Sequence, residues 1–280
     1  LSRTSWRGAL DLGFAAGGGA TWLARRAHHG PFMVQRPFFP EGRQVCHVYV
    51  LHPPGGLVGG DELRLGIEVD AGGHALLTTP AAGKAYRTTG APVLQAQRIS
   101  VGPGAALEWL PQETILYDGA DATLETEVRL APGARFVGAE TVCFGLAARG
   151  ETFARGVCRQ RFELRRGARP VLIERGRFAG GEPTQAARFA LGGAAVMALF
   201  VAAPAPDEAL VAKLREELAA TFAAAPVGVT VVGEGPDSVL VGRFLSAGAE
   251  HARLFVQRCW CIVRPALLGR PAIAPRIWAT

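Results

Sequence analysis

Acidic side chains at the ends of apolar runs are the residues best placed to do chemistry in this 280-residue chain. Asp61 closes the run His52-Pro53-Pro54-Gly55-Gly56-Leu57-Val58-Gly59-Gly60-Asp61. Proline fixes φ and glycine frees it, so this composition prescribes one irregular path. The path delivers a carboxylate to the start of an alternating strand at 63–69. Such an acid either satisfies the backbone N–H groups of a tight connection or meets a ligand. Glu140 and Glu174 each stand seven residues after a turn glycine, Gly133 and Gly167, and each follows an apolar run. A regular register would place them in equivalent positions of adjacent layers. Stacked carboxylates at the ends of buried strands need a cation, a donor or water. Salt bridges to arginine would supply that, and so would a polar line along which a divalent cation passes.

Other combinations carry less. Glu108 and Glu113 flank Pro111 and could form the acid pair of a polysaccharide hydrolase if held at a suitable separation. Their opposite parity on an extended strand counts against that. Cys46 and His52 share a parity and could ligate a metal, or could be a buried thiol and a loop imidazole. Gly83-Lys84 invites comparison with a phosphate-binding loop, but Thr78 and Ala85 stand where that pattern needs Gly and Ser or Thr.

The elements that must position these acids are mostly strands. Four strand-like runs each meet a glycine turn, at Gly73, Gly104, Gly133 and Gly167, and an apolar run follows each turn. The spacing is roughly 30 residues, the mark of a stacked repeat in which one unit cannot bury its own apolar face. The expected fold is mainly β, with stacked strand layers resembling an irregular β-helix and two helices in the C-terminal third. A first strand covers Trp6 to Phe14, two more lie at 20–29 and 31–38, and another at 45–51. The β layers run over 1–203 and a helix-containing part over 204–280, all in a single domain, 1–280. Asp207 is placed to cap a helix bearing Leu210, Leu214 and Leu218. The second helix spans 247–268, where Cys259 and Cys261 point away from each other. The extended tail, with Arg276, Ile277 and Trp278, is suited to clamp onto this body or onto a partner.

Composition narrows the classes. The net charge is +6, but the chain has only two lysines, Lys84 and Lys213, and its arginines are scattered. With no dense basic run and no RNA-type aromatic motif, no nucleic-acid partner is expected. Five cysteines, an odd number, imply no disulfide framework and fit the cytoplasm. The most apolar stretch, 189–205, is broken by Gly192-Gly193 and Pro204. Its centre reads as a buried strand, so no membrane partner is expected.

Several motifs, in order, carry a resemblance: Gly30-Pro31 with Val34-Gln35-Arg36-Pro37-Phe38, Cys46-His47-Val48-Tyr49, the loop 52–61, Thr78-Thr79-Pro80 with Lys84, Tyr86 and Arg87, the run 107–115, and Pro275-Arg276-Ile277-Trp278. Together they resemble the urease accessory protein UreD (UreH) family almost end to end. The resemblance implies a non-enzymatic chaperone for nickel insertion into urease, with a fold similar to an irregular β-helix. It implies urease apoprotein as one partner, the helical UreF as another, and the GTPase UreG through UreF. It also implies transient nickel in an internal channel and no tightly bound cofactor. The family's channel-lining acid falls on Asp61, to which the repeat adds Glu140 and Glu174. The tail residues Arg276, Ile277 and Trp278 are the expected partner contacts.

Overall fold

A computed structural model describes residues 5–279. The chain opens with β1 (Arg7–Gly17), β2 (Ala20–His29), the short β3 (Met33–Val34) and β4 (Cys46–Leu51). Three strand pairs follow, each joined by a tight turn. The first is β5 (Glu62–Val69) with β6 (His74–Thr78). After β7 (Gly83–Ala85) comes β8 (Val93–Val101) with β9 (Ala106–Trp109), and after β10 (Thr114–Leu116) comes β11 (Asp121–Leu130) with β12 (Arg135–Leu146). Then come β13 (Glu151–Thr152), β14 (Val157–Arg166), β15 (Arg169–Ala179) and β16 (Val196–Ala203). The C-terminal part comprises α1 (Glu208–Thr221), β17 (Val227–Val232), β18 (Val239–Ser246) and α2 (Ala249–Leu268). No helix among the described residues is long and apolar enough to cross a membrane.

The two strands of each pair belong to different sheets, which is why the pairs stack. One sheet has the order β15-β14-β11-β8-β5-β1-β2, and the other β17-β18-β16-β12-β9-β6-β4-β3. The strands β5, β8, β11 and β14 run parallel in the first, and β4, β6, β9 and β12 run parallel in the second. Gly104 and Gly133 turn the chain from one sheet to the other at φ +64 and +70, a region that L side chains rarely enter. Alternation does the rest. In β11 the buried residues Ala122, Leu124, Thr126, Val128 and Leu130 share one parity and face the opposing sheet. The mainly β, layered architecture expected from the repeat is therefore the one observed.

Two expectations need correction. The turn at Gly167 does not begin another layer: β15 folds back beside β14 as an antiparallel hairpin in the same sheet. Glu174, opposite Phe162 on that edge strand, is therefore not equivalent to Glu140 on β12. The strand expected at 31–38 shrinks to Met33 and Val34, because Pro31 and Pro37 cannot donate to a ladder.

Two cores result. Phe14, Ile67, Phe136 and Phe162 pack between the sheets. Val137, Phe200, Phe244, Phe255 and Trp260 pack between the larger sheet and the helices. Phe244 stacks on Phe255 at 5.1 Å, and Asp207 caps α1 by accepting from the Leu210 N–H at 2.8 Å.

Candidate functional site

The larger sheet points an acid from each of its faces, Glu108 buried and Glu140 half-buried. In β9, Leu107 and Trp109 enter the core between the sheets, whereas Ala106 and Leu110 lie under the helices. Glu108 therefore points at α2. In β12 the parity puts Phe136, Val142 and Phe144 between the sheets and Val137, Ala139 and Cys143 under the helices. Glu140 accordingly points inward, toward the smaller sheet.

Glu108 is fully surrounded by donors. Arg264 of α2, itself fully buried, donates from Nε to Oε2 at 2.8 Å and from Nη2 to Oε1 at 3.0 Å. Trp260 Nε1 donates to Oε2 at 2.6 Å, and His74 Nε2 lies 2.8 Å from Oε1. Arg264 Nη2 also reaches Glu41 at 2.7 Å, and Glu41 is 2.8 Å from His47 Nε2. Burial alone would raise the Glu108 carboxyl, but His74 and Arg264 together hold it below its usual value. Glu41 is opposed by burial in the same way and is brought down to about 2 by His47 and Arg264.

Among the described residues, no cationic side chain hydrogen-bonds to Glu140. Thr126 donates its hydroxyl to Oε1, and Gln160 Nε2 donates to Oε2 at 2.6 Å. Gln97, the ladder partner of Thr126, lies 2.7 Å from that hydroxyl. Burial pushes the Glu140 carboxyl up, and the two neutral donors only partly oppose it. These polar residues sit at positions that apolar side chains occupy elsewhere in the same strands. Of them, Gln97 and Glu140 line a partly open cavity of about 330 Å³ whose wall also includes His52, Lys84, Gln95 and Gln112. Burial pulls the His52 imidazole below its usual value, with the Asp61 charge opposing.

The loop 52–61 forms one wall of this cavity through His52, Pro53, Gly55 and Leu57. It is stitched down by Leu57, whose N–H donates to the Lys84 carbonyl at 2.7 Å and whose carbonyl accepts from the Tyr86 N–H at 2.9 Å. A Cβ on Gly56 would come within 2.4 Å of the Tyr86 ring, so a larger residue there would have to displace that ring. Asp61 secures the loop's end. Its Oδ1 accepts from the Trp6 N–H at 2.8 Å and its Oδ2 from the Val58 N–H at 2.9 Å. Both oxygens thus serve backbone donors, and Asp61 is not among the cavity wall residues.

The remaining candidates lie elsewhere. Glu174 is ion-paired with Arg243 of β18, which ties the edge strand β15 to the larger sheet. Glu113 stands 3.4 Å from Arg253 of α2. In the tail, Trp278 folds back: its Nε1 donates to Thr78 Oγ1 at 2.9 Å and its ring meets Trp260 edge-on at 5.5 Å. Arg276 is exposed. Cys46 is fully buried in the inter-sheet core. Among the described residues no group of three or more His, Cys, Asp and Glu could hold a metal ion.

Sequence reasoning missed the neutral shell of Glu140 and the counter-charge of Glu108. The first left a trace: Gln95, Gln97, Thr126 and Gln160 interrupt apolar parity positions. The second left none, because Glu41, Glu108 and Arg264 are brought together only by the packing of α2.

The sequence is similar, nearly end to end, to a set of named proteins. The profile of the UreD urease accessory protein family matches residues 7–279. A urease accessory protein UreD of Azoarcus sp. (strain BH72) is 46% identical over 280 residues, covering 100% of this chain and 96% of that protein. Urease accessory proteins UreD of Pseudomonas putida (strain W619) and Dechloromonas aromatica (strain RCB) are 45% and 43% identical, covering 98% and 99% of this chain and 95% of each relative. With the layered β fold and these matches along almost its whole length, the chain belongs to the UreD family of urease accessory proteins.

Proposed function

We propose that this chain is a non-enzymatic chaperone of nickel insertion into apo-urease, and that nickel crosses it through the cavity beside Glu140. It bridges urease to UreF and, through UreF, to the GTPase UreG, and works in the cytoplasm without a tightly held cofactor. The observation that carries the reading is the contrast in charge compensation. Glu108, Glu174 and Glu113 each have an arginine, whereas the shell of Glu140 is neutral and faces a cavity. A carboxylate in a low-dielectric site with no counter-charge gains most when a cation enters. Oxygen and amide ligands bind nickel weakly enough to release it, whereas clustered thiolates and imidazoles would retain it.

Asp61 and Glu174 enter this reading as supports of the route: Asp61 shapes the loop that walls the cavity, and Glu174 ties β15 to β18 through Arg243. In the tail, Trp278 anchors the segment so that Arg276 and Ile277 are presented to a partner. The hydrolase reading of Glu108 and Glu113 is not favoured. Glu108 is sealed from solvent and held ionised, so it has neither access to a substrate nor a proton to donate.

Co-expression with apo-urease, UreF and UreG tests the proposal. The Glu140→Gln variant is expected to be captured with urease at wild-type yield while the nickel content of urease falls several-fold. Nickel content equal to wild type would reject the route.

A further inference from the structure

The larger sheet has a window. β12 pairs with β9 only from Arg135 to Gly138 and with β10 only from Val142 to Phe144. Between them, the chain at 110–113 bows away from β12 because its backbone bonds elsewhere. Leu110 N–H donates to Leu77 at 2.9 Å, Gln112 N–H to Thr79 Oγ1 at 2.9 Å, and Gly83 N–H to the Glu113 carbonyl at 2.9 Å. Residues 139–141 of β12 face this gap, with Glu140 on its inner side and Thr141, of opposite parity, on the α2 side. A small cleft of about 20 Å³ lies there, enough for one water. Pro111, Gln112 and Thr141 line both this cleft and the large cavity. The far side of the cleft is formed by Glu113, Arg253, Gln257 and Trp278.

We infer that the passage has a second mouth at this window, on the α2 side, and that Glu113 is the carboxylate that receives the ion there. The inference rests on the nickel route proposed above. Glu113 is held differently from the structural acid one strand away. Arg264 grips Glu108 with two of its nitrogens at 2.8 and 3.0 Å, while Arg253 reaches Glu113 with a single contact at 3.4 Å. Arg253 Nε is buried with no hydrogen-bond partner among the described residues, so the pair is far from its best geometry. The Arg253 side chain is also 41% exposed, so water can solvate it when Glu113 turns away. An arriving cation takes Glu113 from Arg253, and Arg253 takes it back when the cation leaves. Thr141 sets the width of the gap.

The test measures nickel loading of apo-urease by the full accessory complex containing Thr141→Phe, Glu113→Gln, Arg253→Gln or Glu140→Gln chains. Thermal melting and urease capture check that each is folded. Thr141→Phe and Glu113→Gln are expected to lower loading several-fold, as Glu140→Gln does, whereas Arg253→Gln speeds it by freeing Glu113. Should Thr141→Phe fail to fold, Thr141→Leu narrows the same window. Wild-type loading by the Thr141 and Glu113 variants, with Glu140→Gln impaired, overturns the second mouth and leaves the route intact. Equal losses for Glu113→Gln and Arg253→Gln also overturn it, because a merely structural ion pair behaves that way. Wild-type loading by all four variants removes the route itself.

Discussion

Glu108 and Glu140 are the same residue type, on parallel strands of one sheet, pointing from opposite faces. One face meets α2, which delivers Arg264, Trp260 and a share in Glu41. The other meets the smaller sheet, which delivers only Thr126 and Gln160. The two carboxyls move in opposite directions from their usual value, one down and one up. Burial by itself therefore does not assign a role to an acid; the charge of what packs on it does. Glu108, gripped by two nitrogens of Arg264, holds the molecule together, and Glu140, with neutral donors, is a place where the molecule is waiting for a charge.

Carboxyl-to-amide exchange should split the two. Glu108→Gln leaves Arg264 in the interior with half its counter-charge, and breaking a buried pair costs about 3–5 kcal/mol. A large loss in urea or thermal unfolding, with loosening of α2, is expected; a neutral result would make the two acids alike. Next in size is the acid limb of stability. The Glu41 carboxyl is lowered from 4.5 to about 2. Its contribution is therefore fully present above the unfolded value and is lost as pH falls through the folded one. That amounts to about 3 kcal/mol. Unfolding midpoints followed from pH 6 to 2 should show this slope, and Glu41→Gln should flatten it. Glu140→Gln should act with the reverse sign. An acid whose carboxyl is raised by burial loses stability as pH rises above the unfolded value, so its amide variant should be more stable at pH 7. A lower melting temperature would erase the distinction between the faces. Smallest is Trp278→Phe, which keeps an aromatic ring beside Trp260 and removes the hydrogen bond to Thr78, about 1 kcal/mol.

The layered fold was legible because period-two alternation and recurrent glycine turns are local signals. Even so, Gly167 misled: a hairpin and a coil turn share the same glycine chemistry, and only the missing neighbour beyond β14 makes the chain fold back. Asp61 was legible as the end of a shaped loop, but not the fact that both its oxygens are used by Trp6 and Val58. Trp6 lies 55 positions away, and such a contact has no signature in spacing. Glu140 emerged from the repeat, although the register argument that paired it with Glu174 fails. The cluster joining Glu41, Glu108 and Arg264 was invisible, because sequence separations of 156 and 223 positions carry no periodicity.

That last separation has a consequence for how the protein is made. Coils built from neighbouring strands can form in the order in which they leave the ribosome. Glu108 and Glu41, however, leave the ribosome 156 and 223 positions before Arg264. Until then the half-made body carries two acids with no arginine between them, and it cannot be sealed. Sealing of the body is thus tied to the synthesis of α2, and a chain cut short before α2 should be recognised by the cell as unfinished.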